Sequence, residues 1–414
     1  GLAERIGFTP GAIERVTARV LTAGMGEAGA AILREVWGVV NERFYDPDLH
    51  GVDVADVIAE YGDAAAEART AEELRKVVND SLGRLGASHT RWFTPDEQAF
   101  YEVLDIFRPA GLGEGDVVGQ PGGPVRYVGI GCVTAEIDGR RFVTDVYPTG
   151  PADRGGLRVG DEVVSVDGAR WGDVASFEGR ARRDVELVVR RAAGATPTGL
   201  AVRPELIQPR QLFQRAVRAS AMVEERAGVR LAYVRLRSYA HSSYQEILER
   251  LMREEFAAAD GLVLDLRGGW GGAQASYTDA FNPALPHMEM RGRDGVWRDV
   301  ARVWDRPVVV LVDEGTRSGK EMIADALQRA GVAMVVGSRT AGAVLGGSIF
   351  PLSDGSLLMV AVSDVRLDGR RLEGRGVEPD VVVEQEIPYC NGADAPRERA
   401  LQVLGELVAA RRGV

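Results

Sequence analysis

Ser318 lies in Val308-Val-Val-Leu-Val-Asp-Glu-Gly-Thr-Arg-Ser-Gly-Lys-Glu321. An apolar β-branched run gives way there, through Asp313-Glu314-Gly315, to apolar residues at helical spacing, Met322, Ile323, Ala326 and Leu327. A serine at such a strand-to-helix turn can point its hydroxyl into a cleft. The free N–H groups and positive dipole end of the helix suit the oxyanion that forms when that hydroxyl attacks a carbonyl. Ser318-Gly-Lys-Glu321 is also a capping box, common at ordinary helix starts, so the segment alone reads as a plain cap.

The groups able to take a proton from Ser318 are few. There are four histidines, His50, His89, His241 and His287, and two lysines, Lys76 and Lys320, against 48 arginines. Lys320 is two residues from Ser318, a spacing at which helix neighbours do not face each other, so it is expected to point away and to matter little. Lys76 belongs to a helix near the N-terminus. A second chemical stretch is Leu262-Val-Leu-Asp-Leu-Arg-Gly-Gly-Trp-Gly-Gly272, a buried strand running into glycines that let backbone N–H groups approach a substrate. By itself it could equally be a tight turn under a sheet.

The elements that must position these residues follow in order. Apolar spacings of three and four over Ile13–Val40 and Ala71–Leu85 predict helices, with a loop at Gly86-Ala-Ser-His-Thr90. Residues 111–124, rich in glycine and proline, read as a linker. From Val125 to about Ala192 the period shortens to strands, at 129–133, 141–146, 162–166 and 185–189, with a short helix in Gly150-Pro-Ala-Asp-Arg-Gly-Gly-Leu157. Residues 193–225 are mixed polar and read as a bridge. An α/β rhythm follows, with strands near 231–236, 261–266, 308–312, 333–336 and 357–362, helices from Ser243 and Ser318, and a last helix over Pro396–Arg411. The expected division is a helical segment 1–110, a small β-rich domain 125–192, a connector 193–225, an α/β core 226–388 and a C-terminal segment 389–414.

A chain of 414 residues suggests two to four domains, and a hydrophobic content of 45% with 27% charged residues is ordinary for a globular protein. The net charge of −11 argues against nucleic acid or anionic lipid as a partner. No apolar run reaches the length of about 20 residues that spans a bilayer. The opening Gly1-Leu-Ala-Glu-Arg-Ile has no basic region followed by an apolar one, so no signal peptide is read there. Cys132 and Cys390 are far apart, have no metal-ligand spacing and are read as buried small residues without a disulfide. No His/Cys/Asp/Glu cluster suggests a metal, and Gly129-Ile-Gly-Cys-Val-Thr lacks the third glycine of a dinucleotide fingerprint, so no cofactor is expected.

The segment 125–192 resembles a PDZ domain. The features that match are Gly129-Ile130-Gly131, Pro151-Ala152 with Gly156-Leu157, and Gly160-Asp-Glu-Val-Val-Ser-Val-Asp-Gly168. The resemblance implies peptide binding at Gly129, Ile130, Gly131 and Cys132, where successive N–H groups can hold a terminal carboxylate and a strand edge can pair with an extended peptide. A PDZ domain set between a helical segment and an α/β core is similar to the C-terminal processing peptidases, or tail-specific proteases, over roughly residues 70 to 385. The glycine loop 262–272, the nucleophile segment 312–321 and the closing Gly376-Val-Glu-Pro-Asp-Val381 carry this likeness.

One departure bears on mechanism. Many members pair the serine with a lysine in a turn about 25 residues on, whereas the corresponding turn here is Arg339-Thr-Ala-Gly-Ala-Val344. The tricorn-like branch uses histidine instead. Ser88-His89 resembles its Ser-His pair, and Leu372-Glu373-Gly-Arg-Gly its late glutamate segment. The resemblance therefore implies Ser318 as nucleophile, His89 as general base titrating near neutrality, and Ser88 and Glu373 orienting the imidazole, with Glu378, Asp364 and Asp354 as alternatives to Glu373. It implies an oxyanion hole from the N–H of Gly319 and that of Gly271 or Gly272, and a crotonase-like α/β core. His241 and His287 are read as surface or structural. The activity implied is a serine endopeptidase whose PDZ domain captures apolar C-terminal tails. The rivals are a catalytically inactive peptide- or ligand-binding protein on the same fold and a small-molecule amide hydrolase. The resemblance puts bacterial tail-specific proteases outside the cytoplasm and tricorn-like relatives within it.

Overall fold

The computed structural model describes residues 25–107, 116–117, 120–121, 124–282, 284–285, 288–291, 293, 295–301 and 303–413. The expected helix over Ile13–Val40 is described from Met25, as Met25–Arg43, while most of the linker 111–124 and His287 lie outside the described residues.

Three helices open the described chain, Met25–Arg43, Val54–Glu67 and Ala71–Leu82. The second and third begin on side-chain caps: Asp53 accepts the Ala55 N–H at 2.7 Å and Thr70 the Glu73 N–H at 3.1 Å. Their apolar faces meet around Trp37, which is fully buried and donates its indole N–H to Ser81 Oγ at 2.9 Å. The same cluster includes Leu345, Leu352, Leu358 and Val360, so the helices close over one face of an antiparallel sheet. That sheet has the order Arg91–Phe93, Leu357–Ser363, Gly346–Pro351. Its first strand comes from the N-terminal segment, and this pairing carries the loop 86–90 to the edge of the core.

The central sheet has six strands in the order Met222–Arg226, Val229–Arg235, Gly261–Asp265, Val308–Val312, Ala333–Gly337 and Val381–Val382. Every pairing except the first is parallel. Every residue of Gly261–Asp265 and Val308–Val312 is buried, which explains their continuous apolar runs. Leu262, Leu264, Val308, Val310 and Val312 pack on the side of helices Ser242–Arg253 and Gly319–Arg329. Val263, Val309 and Leu311 pack on the other side, against Leu401, Leu404 and Val408 of the last helix, Ala395–Arg412. Each such side chain contributes about 1.5–3 kcal/mol of burial free energy.

The inserted β domain is a five-stranded antiparallel sheet ordered Cys132–Ile137, Arg140–Val146, Glu162–Val166, Val185–Arg190 and Thr198–Val202. The expected short helix is Pro151–Arg154, and the expected strand 129–133 is split by Ile130-Gly131 into Tyr127–Gly129 and Cys132–Ile137. The stretch read as a bridge is structured. Thr198–Val202 is the fifth strand of this sheet, Glu205–Ile207 pairs with Tyr127–Gly129, and Pro209–Ser220 is a helix begun by a proline in its first turn. Cys132 is buried, but Cys390 is only partly so. Its thiol donates to Val159 O at 3.2 Å, where the chain after the core docks on the β domain. No helix among the described residues is long and apolar enough to cross a membrane.

Candidate active site

Ser318 stands between the strand Val308–Val312 and the helix Gly319–Arg329 in a conformation that few L residues adopt, φ 58° and ψ −127°. Such strain, on the order of 1–3 kcal/mol, persists only where the surroundings enforce it. Here the Ser318 N–H is gripped by Ala343 O at 2.8 Å and by Glu321 Oε2 at 3.0 Å. The Glu321 arm of the expected capping box thus forms, but Glu321 does more than cap. It is fully buried and accepts from Thr340 Oγ1 at 2.6 Å, Gly342 N at 2.7 Å and Ala343 N at 2.9 Å. Burial pushes its carboxyl up, and the bonds from Thr340, Ala343, Gly342 and Ser318 oppose the shift.

His89, which lines the same cleft, is also at positive φ, 54°. Ser88 Oγ donates to Glu373 Oε2 at 2.8 Å and lies 2.9 Å from His89 Nδ1. A hydroxyl has one proton, and with that proton on Glu373 the serine oxygen accepts from Nδ1–H. Nε2 is then left with the free lone pair that a base needs. Glu373 also takes the Ser88 N–H at 2.8 Å and the Val344 N–H at 2.7 Å. The alternative carboxylates are engaged elsewhere: Asp364 with Arg371 at 2.9 Å, Asp354 with the Ser356 N–H at 2.9 Å, and Glu378 beside Arg339 at 3.9 Å. Burial lowers His89 to about 4, with Arg317 adding to the effect and Glu373 opposing it. Titration near neutrality, expected from the imidazole alone, is corrected by this burial.

Ser318 and His89 line one cleft of about 610 Å³ together with Ser88, Gly271 and Gly272. Apolar walls come from Phe93, Phe107, Trp270, Leu345, Ile349 and Met359, and Arg91 and Arg317 bring positive charge. Two glycines are required by close approach. A Cβ on Gly271 would meet the Ser318 Cβ at 2.5 Å and Gly319 N at 2.9 Å, and one on Gly319 would meet Ala273 N at 2.2 Å. The glycine loop therefore runs directly against the start of the Ser318 helix. Gly272, at φ +90°, turns its Cβ position toward Ala240 instead.

Sequence reasoning missed what holds that loop. Lys320 is fully buried, and its Nζ donates to Gly268 O at 2.7 Å while Asp313 takes the Gly268 N–H at 2.8 Å. Burial pushes the Lys320 ammonium down to about 7, and the nearby Arg235 and Arg237 charges act in the same direction. The lysine does not line the cleft, as its spacing predicted, and it braces the glycine loop from beneath. Gly347 was also missed. A Cβ there would lie 3.1 Å from His89 Cδ2 and 3.2 Å from His89 Cβ, so the bare backbone of this strand is the surface on which the imidazole rests. Its one sequence signal is the Gly346-Gly347 pair at a strand start.

The β domain reaches the same loop. Asp145 accepts from Arg237 Nε and Nη2, both at 2.9 Å, and from Arg235 Nη1 at 3.1 Å. Burial would raise the Asp145 carboxyl, but the Arg235 and Arg237 charges outweigh it and hold it low. The Arg237 carbonyl takes the Trp270 N–H at 2.7 Å. Buried Glu102 accepts from Trp270 Nε1 at 2.7 Å and from Tyr147 Oη at 3.3 Å. Of the expected peptide-binding residues, Ile130 and Cys132 are buried, Gly129 pairs with Glu205, and the Ile130 and Gly131 carbonyls accept from Ala152 and Tyr147 N–H groups. Cys132–Ile137 forms one edge of the five-stranded sheet. Away from the site, His241 caps Ser242–Arg253 by accepting the Ser243 N–H at 3.1 Å, and His50 lies 2.7 Å from Leu85 O, both structural.

Comparison with known proteins agrees with this architecture. Residues 230–383 match peptidase family S41, residues 29–83 the Tricorn protease C1 domain and residues 142–191 the PDZ domain. A carboxyl-terminal-processing protease of Synechocystis sp. is 26% identical over 90% of this chain and 86% of its own. Carboxyl-terminal-processing peptidase 3, chloroplastic, of Arabidopsis thaliana is 26% identical over 84% of this chain and 68% of its own. Among solved structures, mature CPAF complexed with lactacystin superposes with a TM-score of 0.56 at 13% identity, covering 93% of this chain and 99% of that one. The tricorn protease gives 0.52 at 16% identity, covering 92% of this chain and 37% of that one. These likenesses establish the fold, and with the matched segments they identify the molecule as a serine-type peptidase in which residues 230–383 match peptidase family S41, beside a Tricorn C1 match and a PDZ domain.

Proposed function

We propose that the protein is an endopeptidase acting on protein C-terminal regions through an acyl-enzyme on Ser318, with His89 as its general base. The observation that carries this reading is the chain of contacts Glu373–Ser88–His89 on the wall of the cleft that also holds Ser318. His89 Nε2 takes the Ser318 proton as Oγ attacks the scissile carbonyl. The oxyanion is met by the N–H groups of Gly319 and Gly271, backed by the dipole of the Gly319–Arg329 helix. His89 returns the proton to the leaving amine, and water, deprotonated by His89 in turn, releases the acyl group from Ser318. Burial keeps His89 neutral at ordinary pH, and Ser88 with Glu373 fixes its tautomer.

Recruitment falls in this reading to the 125–207 segment. The edge strand Cys132–Ile137 can add an extended peptide, and a C-terminal carboxylate can be taken by the Gly129–Cys132 turn. The processing-protease names of the relatives and the apolar cleft walls support tailed, apolar protein substrates. A fluorophosphonate probe tests the reading: covalent labelling mapped to Ser318, lost in Ser318→Ala, is expected. Folded protein that stays unlabelled would point to a binding role on the same fold.

A further inference from the structure

Arg317 and Arg91 both line the cleft beside Ser318, but they are not equivalent. Arg91 is engaged: Nη2 donates to Glu97 Oε2 at 2.6 Å, and the guanidinium lies 4.6 Å from the centroid of the Phe93 ring. Arg317, exposed to the cleft, makes no side-chain hydrogen bond and no ion pair among the described residues. The two carboxylates nearest in charge to it, Glu321 and Asp313, are used. Glu321 holds Ser318, Thr340, Gly342 and Ala343, and Asp313 accepts from the N–H groups of Gly268 and Gly315. An exposed guanidinium without a direct ion pair among the described residues thus stands one residue from Ser318 in a chain whose net charge is −11.

We propose that Arg317, with Arg91 lining the same cleft, is a carboxylate subsite, selecting substrates that bring a carboxylate to within a residue or two of the scissile bond. The planar guanidinium presents paired N–H donors matched to a carboxylate, and the apolar walls strengthen such a bond by excluding water. The carboxylate can be an Asp or Glu side chain or the terminal carboxylate of the cleaved chain. This deepens the peptidase reading, since it rests on substrate lying in this cleft.

The test uses three fluorescent acetylated tetrapeptides of one apolar sequence: one with a free C-terminus, one with a C-terminal amide, and one with the amide and a single internal Asp. Their affinities are measured on full-length Ser318→Ala and on Ser318→Ala with Arg317→Gln. At least one carboxylate peptide should bind the first protein about tenfold more tightly than the neutral amide, the scale of a hydrogen bond to a charged group. That advantage should vanish with Arg317→Gln and return in part with Arg317→Lys. A gain confined to the free C-terminus identifies the terminal carboxylate, and a gain for internal Asp the side chain. Equal binding of all three peptides, or an advantage that survives Arg317→Gln as a carboxylate held on the PDZ domain would give, overturns the proposal. Failure of the catalytic reading registers separately, as wild-type protein unlabelled by fluorophosphonate, and leaves this comparison readable.

Discussion

Ser88 and Glu373, 285 positions apart, are joined by two hydrogen bonds, one from the Ser88 backbone N–H and one from its hydroxyl, each 2.8 Å long. Glu373 also holds the Val344 N–H, while Glu321 holds Gly342 and Ala343. The short loop 342–344 is therefore suspended between two glutamates, one fixing Ser318 and the other fixing the partner of His89. That loop is a backbone bridge between Ser318 and the Ser88–His89 pair.

Glu373→Gln should lower kcat/KM by a factor of about 10² or more, because an amide cannot accept from all three donors and the imidazole loses its fixed tautomer. Glu378→Gln, at an exposed position, should leave the rate near wild type. Peptidase kinetics on the two variants check this, and equal effects would remove Glu373 from the site.

The acid limb of kcat/KM should lie near pH 4, where buried His89 gains its proton, and not near 6.5. Because the folded value is depressed, the unfolded chain binds more protons between those two pH values. Stability from this group therefore falls as pH drops from 6.5 toward 4. A pH–rate profile with its limb near 6.5 would mean that His89 is solvated or is not the base.

Gly347→Ala should cut activity about tenfold or more with little loss of stability, since the added methyl presses on the His89 ring and shifts it from Ser318. Parallel rate and melting measurements decide this, and unchanged kinetics would show that the imidazole has room to yield.

Lys320→Met keeps the volume of the side chain but removes the donor to Gly268. In the wild type the lysine titrates near 7 when folded and near 10.5 when unfolded. Between these values the unfolded state holds the extra proton, so wild-type stability should gain on that of Lys320→Met as pH rises from 7 to 10. Denaturant titrations at several pH values measure the gap, and a gap that stays constant would mean that the buried amine does not titrate there.

Much of this arrangement is legible in the sequence because it rests on local patterns. The run Val308–Val312 is apolar throughout since both faces of its strand are covered, and Gly271 is glycine because Ser318 approaches it. What escaped is long-range. Nothing near Lys320 signals that its ammonium lies under Gly268, and nothing near Gly347 signals a histidine against it. Thr198–Val202 was hidden because its strand is short, is interrupted by Gly199 and buries only Val202, so it shows no alternating apolar pattern. Ser88, His89 and Glu373 became legible only as a set, through resemblance, because the hydrogen bonds joining them span 285 positions.

The most direct test of the account is the kcat/KM of His89→Ala on a C-terminally tailed peptide, measured beside the wild type with folding checked by melting. The account predicts a loss on the order of 10²-fold or more, the scale of a positioned general base. A folded His89→Ala protein that cleaves at the wild-type rate would contradict it.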